Sequence, residues 1–192
     1  MQQINKVAVL GAGVMGATIA AHLANAGISV LLLDIVPREV TAAEGAAGLT
    51  LADRAVRNRI AAVGRDGLIK MKPAPFFLPG YAANIEVGNF DDDMAKLKEY
   101  DWVIEVVVEN MAIKKQIFTE KVVPNLKEGA VLSTNTSGLS VNEMAECLPE
   151  NVRKNFLVTH FFNPPRYMRL LEIVSCSYTD PAVTAFMADF IS

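Results

Sequence analysis

Lys6-Val7-Ala8-Val9-Leu10-Gly11-Ala12-Gly13-Val14-Met15-Gly16 is the stretch that decides the fold. Its apolar run ends abruptly at a glycine, as a parallel strand buried on both faces does. Residues 15–26 then carry an Ala-rich, helix-period pattern that Gly27 closes. Ser29-Val30-Leu31-Leu32-Leu33-Asp34 is a second buried strand. Strand, helix and strand in about thirty residues make one βαβ unit, whose crossover is right-handed.

Outward from this unit the alternation continues. Strands are expected at 101–108, 130–133, 156–161 and 169–174. Between them lie a helix over 112–123, ended by Pro124, and a short one that Ser140 and Glu143 open as a capping box. A last helix starts at Asp180-Pro181 and runs to Ser192. The rhythm is that of a doubly wound α/β domain of Rossmann type, with a mostly parallel sheet. Residues 37–90 interrupt it. Pro37 stands at a helix start, 38–63 is helix-rich, Gly64 and Gly67 break the helix, and Pro73, Pro75 and Pro79 make 71–80 a loop. With a short strand near 84–87 and a helix capped near Asp91, this segment is expected to project as an inserted helical arm.

With 192 residues, 52% hydrophobic and 20% charged, the chain can bury a core without metal or disulfide support. A net charge of −3 gives no general electrostatic case for nucleic acid. Cys147 and Cys176 match neither a metal knuckle nor a redox pair and read as reduced thiols. The first residues, Met1-Gln2-Gln3-Ile4-Asn5-Lys6, lack the features of a signal peptide, and no apolar run approaches the ~20 residues of a membrane span. Neither a membrane nor a nucleic acid is an expected partner, and the cytoplasm is the default location.

Gly11-Ala12-Gly13-Val14-Met15-Gly16 matches G-x-G-x-x-G, a weak signal alone that gains force between a strand and a helix. Gly11 permits the tight turn, Gly13 lets the backbone approach a pyrophosphate, and Gly16 allows helix and strand to pack closely. The helix N-terminus offers unpaired N–H groups and partial positive charge to phosphates. Asp34, ending the second strand, suits the ribose hydroxyls of NAD and would repel the 2′-phosphate of NADP. His22, inside the first helix, reads as a packed structural residue.

His160-Phe161-Phe162-Asn163-Pro164-Pro165 is followed by Glu172 on the next expected strand. A carboxylate bonded to one imidazole nitrogen fixes the tautomer and leaves the other nitrogen to accept a proton. Spacing alone leaves a structural histidine equally open.

From end to end the chain resembles the N-terminal, NAD-binding domain of 3-hydroxyacyl-CoA dehydrogenases. The resemblance rests on the glycine motif, Glu105-Val106-Val107-Val108-Glu109-Asn110, Asn135-Thr136-Ser137, and His160-Phe161-Phe162-Asn163-Pro164 with Glu172. It implies that His160 is the general base for a 3-hydroxyl, that Glu172 orients it, that Ser137 bonds the substrate oxygen, and that Asn163 helps hold cofactor and substrate. It also implies NAD contacts for Glu109 and Lys114, with Met15 and Asp34 at the adenosine end. Val14 and Val108, inside two of the motifs, join the cofactor-binding set. For Lys114 the residues alone suggest only a solvated helix charge. The arm would correspond to an extension that touches CoA, with Arg54, Arg57, Arg59, Arg65, Lys70 and Lys72 as candidate phosphate contacts. Leu33-Asp34-Ile35-Val36-Pro37 and the arm further resemble bacterial fatty-acid-oxidation proteins that carry an enoyl-CoA hydratase portion.

The family continues into a helical domain that adds a catalytic asparagine, closes over the acyl chain and usually forms a dimer. That domain is not in these residues, so the chain is expected to bind NAD and turn over little substrate. Two other readings are a β-hydroxyacid dehydrogenase, which would typically use a lysine, and a non-catalytic dinucleotide-binding or crystallin-like protein.

Overall fold

The computed structural model describes residues 3–191. β1 (Lys6–Leu10), α1 (Val14–Asn25) and β2 (Ser29–Asp34) form the opening βαβ unit. Three short helices follow, α2 (Ala42–Ala46), α3 (Arg54–Arg57) and α4 (Arg59–Gly67), and then β3 (Ile85–Asn89). The second half runs β4 (Trp102–Glu105), α5 (Met111–Gln116), β5 (Val131–Thr134), α6 (Val141–Ala145), α7 (Glu150–Arg153), β6 (Phe156–Phe161), β7 (Leu171–Ser175) and α8 (Pro181–Ile191). The last residue of the expected final helix, Ser192, lies outside the described residues. Among the described residues no helix is long and apolar enough to cross a membrane.

The strands form one sheet in the order β3-β2-β1-β4-β5-β6-β7. Every neighbouring pair is parallel except β6 and β7. Chain order reverses between β1 and β4, the switch point at which doubly wound sheets leave a crevice at their carboxyl ends. The alternation along β1 divides the core in two: Val7 and Val9 face α1 and α8, while Ala8 and Leu10 face Phe118, Val122 and Met144.

The segment after β2 is only in part an arm. β3 is the sheet's outer strand, paired with β2 from Val30↔Ile85 to Asp34↔Asn89. Nor does Gly64 break a helix, since α4 continues through it to Gly67. A side chain at Gly64 would stand 2.5 Å from the Ala12 carbonyl oxygen, so the glycine lets α4 lie directly against the glycine turn. The helix expected near Asp91 is a 3-10 turn over Met94–Glu99. Asn89 takes up the acidic turn before it, accepting from the Asp91 and Asp92 amides.

Three further boundaries shift. The strand expected over 101–108 stops at Glu105, where Val107 N–H turns back to the Glu105 carboxylate at 2.7 Å. The helix expected over 112–123 begins one residue earlier, capped by Asn110, and loosens into a π-helical stretch, Ile117–Val122, before Pro124. Ser140 does cap α6 by accepting from the Glu143 amide, but Glu143 turns outward to Lys115 at 3.1 Å instead of completing the box. Both cysteines are free thiols.

Candidate active site

Gly11 starts the turn with φ +110°, a backbone conformation that L side chains rarely adopt, and a Cβ there would lie 2.5 Å from the Val106 carbonyl oxygen. The turn is thus wedged between β1 and the exit of β4. A Cβ on Gly16 would meet the Gly11 oxygen at 1.8 Å, whereas one on Gly13 would project into open space. Gly13 also heads α1, whose first turn has no side-chain cap. Open space over uncapped N–H groups fits the phosphates of a dinucleotide. Asp34 holds the turn from the side, accepting from Ala12 N–H at 2.6 Å and Ile35 N–H at 2.7 Å.

A cleft of 370 Å³ opens beyond this turn, lined by Met15, Val106, Val107, Glu109, Lys114, Asn135, Ser137, His160, Phe161, Phe162 and Asn163. His160 and Glu172 face each other across the antiparallel β6–β7 pair, and Nδ1 lies 3.2 Å from the Glu172 Oε2. With the carboxylate ionised, Nδ1 carries the proton and Nε2 is the free acceptor. The Phe162 ring packs against His160 edge-on, 4.7 Å between centroids. Asn135 accepts from Phe161 N–H at 2.9 Å, which ties the end of β5 to the end of β6.

Ser137 sits on an exposed loop held by one carboxylate. Glu109 accepts from the Thr136 hydroxyl, from Ser137 N–H at 3.2 Å and from Gly138 N–H at 3.4 Å. Burial pushes the Glu109 carboxyl up, but Thr136, Lys114 and the Ser137 amide together hold it below the usual carboxylate value. Among the described residues nothing pairs with the Ser137 hydroxyl.

Lys114 is not a solvated charge. Its side chain is 1% exposed and donates to both Glu105 oxygens, at 2.7 and 2.9 Å, with Glu109 at 3.3 Å. Glu105, fully buried at the end of β4, also accepts from Thr134 Oγ1 at 2.5 Å. Sequence reasoning passed over Glu105 as a site residue, although an acid closing an otherwise apolar buried strand demands a cationic partner. It passed over Asn135 and Phe162 as well.

The remaining expected contacts are placed as follows. Met15 lines the cleft that His160 also lines, because helical side chains lean toward the N-terminus and carry it over the turn. Val108 is 63% exposed and does not line the cleft, since the chain has left the sheet by then. Val14, 61% exposed, lines instead a neighbouring cavity of 120 Å³ with Lys72 and Asn163. Four of the arm's basic residues are engaged within the protein: Arg54 with Asp93, Arg57 with Asp92, Arg59 with Glu44 and Arg65 with Asp66. Lys70 and Lys72 are exposed and form no ion pair among the described residues. His22 is packed as expected, edge-on to Phe161 at 6.3 Å, and burial pushes its imidazole pKa down.

The model of the family described as "3-hydroxyacyl-CoA dehydrogenase, NAD binding domain" matches residues 6–192. The chain belongs to this family. Its cofactor is NAD, and the glycine turn fits that group as described above. A probable 3-hydroxyacyl-CoA dehydrogenase of Bacillus subtilis is 51% identical over 189 residues, 98% of this chain and 24% of the relative. One of Deinococcus radiodurans is 44% identical over 188 residues, 98% of this chain and 50% of the relative. The chain therefore spans a quarter to a half of these relatives. Among solved structures, the 3-hydroxyacyl-CoA dehydrogenase of Archaeoglobus fulgidus superposes with a TM-score of 0.71 at 28% identity, over 98% of this chain and 53% of that one. The family's NAD-binding domain is thus present in sequence and in shape.

Proposed function

We propose that this chain is the cofactor-binding part of an enzyme that oxidises an L-3-hydroxyacyl-CoA to the 3-ketoacyl-CoA, a step of fatty-acid β-oxidation. The observation that carries the reading is the His160–Glu172 pair at 3.2 Å, in a cleft shared with Ser137 and Asn163 beside the glycine turn. NAD, when bound, supplies the acceptor for the hydride that leaves C3. His160 takes the proton of the 3-hydroxyl at Nε2, because Glu172 occupies Nδ1 and fixes that tautomer. The same carboxylate stabilises the imidazolium that results. Ser137 Oγ donates to the substrate oxygen as it becomes a carbonyl, and Asn163 positions substrate and cofactor. Asp34 holds the adenosine ribose, and Glu109 with Lys114 forms the floor under the opposite end of the dinucleotide. Lys70 and Lys72 remain as contacts for CoA phosphates.

The same reading assigns closure over the acyl chain, a second catalytic asparagine and dimerisation to polypeptide outside these 192 residues, with the cytoplasm as the location. The test is His160→Gln in the complete polypeptide that carries this chain, with NADH production from 3-hydroxybutyryl-CoA as the readout. Turnover is expected to fall by roughly 10²–10⁴ with NAD affinity unchanged. Unchanged turnover refutes the assignment. The isolated chain is expected to bind NAD yet run at least about tenfold below the complete polypeptide, since one missing oxygen-positioning group alone costs on the order of 10²–10³.

A further inference from the structure

The loop between β6 and β7, residues 162–170, carries Asn163 and joins the strand of His160 to that of Glu172. It has no regular structure. Inside it, Tyr167 and Met168 N–H donate to the Pro164 carbonyl at 2.9 and 3.0 Å, which makes a local turn and no attachment. Among the described residues, every hydrogen bond that leaves this loop ends on two nearby carbonyls of the proline-rich segment 71–80. Arg166 Nη1 donates to Ala74 O and, at 2.8 Å, to Phe76 O. Tyr167 Oη donates to Ala74 O at 2.9 Å. The Arg166 guanidinium also lies over the Phe77 ring, 4.5 Å from its centroid, and beside the Tyr167 ring at 5.1 Å.

The segment that receives these bonds is itself fixed. Asn25, the last residue of α1, donates to Pro75 O at 2.8 Å and accepts from Phe77 N–H at 2.9 Å, and Phe76 is buried in the core. One guanidinium, with the Tyr167 hydroxyl beside it, therefore connects the hairpin tip to α1, the helix that the glycine turn begins. The 120 Å³ cavity beside it is lined by residues of all three pieces, among them Val14 and Thr18, Pro73 and Pro75, and Asn163 and Arg166. Asn163 borders both this cavity and the cleft of His160.

We propose that Arg166 is a positioning residue for the reaction. It anchors the hairpin tip to the 71–80 segment and so sets where Asn163 and the His160–Glu172 pair stand relative to the glycine turn. A planar guanidinium suits this task, because one of its nitrogens, Nη1, reaches two neighbouring carbonyls while its face covers an aromatic ring. The inference rests on the dehydrogenase reading above. Its size follows from geometry, since a displacement of about 1 Å at a reacting centre can cost on the order of 10² in rate.

The test compares Arg166→Ala, Arg166→Lys and the milder Tyr167→Phe in the complete polypeptide, with kinetic constants expressed per NAD-binding site. Arg166→Ala is expected to lower kcat by roughly 10- to 100-fold and to leave the KM for NAD within about twofold. Arg166→Lys, which keeps a charged donor but loses the planar face over Phe77, recovers part of kcat. Tyr167→Phe falls between Arg166→Lys and the wild type. A wild-type kcat in Arg166→Ala, or a loss that disappears when activity is normalised to folded sites, overturns the proposal. Amide exchange separates this from a failure of the dehydrogenase reading. If the wild type produces no NADH, that reading falls, and the anchor stands or falls with the Phe77 and Tyr167 amides. Faster exchange of both in Arg166→Ala sustains it, and unchanged exchange sinks it.

Discussion

Replacing Lys114 by Met removes the cation from a pair that water does not reach. Lys114 is 1% exposed and Glu105 is 0% exposed, so neither charge has solvent to fall back on. In the variant, the Glu105 carboxylate keeps only Thr134 Oγ1 and Val107 N–H and loses both bonds from the ammonium. Breaking a buried pair on one side costs about 3–5 kcal/mol. For a domain of this size each kcal/mol lowers Tm by about 2–4 °C, so the single variant should melt roughly 6–20 °C below the wild type. Adding Glu105→Gln removes the stranded charge, and the double variant should recover at least about 2 kcal/mol of the loss. The chain's one tryptophan, Trp102, is buried on the same strand as Glu105 and bonded to Ser133, so its fluorescence in a urea titration reports the unfolding. A Lys114→Met variant within about 1 kcal/mol of wild type, or a double variant whose loss is the sum of the singles, would refute the picture of a tightly coupled buried pair.

Gly64→Ala places a Cβ 2.5 Å from the Ala12 oxygen, a backbone atom that cannot move cheaply. It should cost about 1–3 kcal/mol and weaken NAD binding, as read by thermal unfolding and cofactor titration; wild-type values in both would remove the contact from consideration. Asp92→Asn tests the acid limb of stability. Hydrogen bonds from Arg57, then Asn89, hold the Asp92 carboxyl down at about 2, below its ordinary 3.8. A lowered folded-state value gives stability that is complete above the unfolded value and is lost as pH falls through the folded one. The variant should therefore be less stable than wild type at pH about 5, with the gap mostly closed near pH 2 and gone by pH about 1. A gap that stays constant across that range contradicts the linkage.

What could be read from the residues was mostly local. The βαβ opening, the glycine turn and the His–Glu spacing are written in short runs, where periodicity and turn chemistry act on neighbours. What escaped was tertiary in origin. Gly64 looks like a helix breaker, but a glycine is tolerated inside a helix, and its reason here is the approach of α4 to Ala12, 52 positions away in sequence but adjacent in space. The arginines of the arm look like a basic face until the sheet brings Asp92, 35 residues distant, against Arg57. Lys114 and Glu105 are nine residues apart, a spacing that means nothing on one helix or one strand. They meet because the chain turns sharply between the end of β4 and the start of α5. Met15 sits inside a motif whose pattern assigns it no direction, and only the lean of helical side chains puts it in the cleft that His160 also lines.

The single antiparallel step in the sheet, between β6 and β7, constrains how this protein can drift. Along a strand, side chains point alternately up and down, so sliding one strand by a single rung would turn Glu172 away from His160. Sliding it by two would restore the side but offset the partners. Apart from Asn163, Arg166 and Tyr167, the residues of the hairpin tip can vary, and extra ones can bulge outward, but the parity of its register is not negotiable. An odd slip there would leave a protein that still folds and still holds its dinucleotide, with the proton acceptor deprived of its anchor.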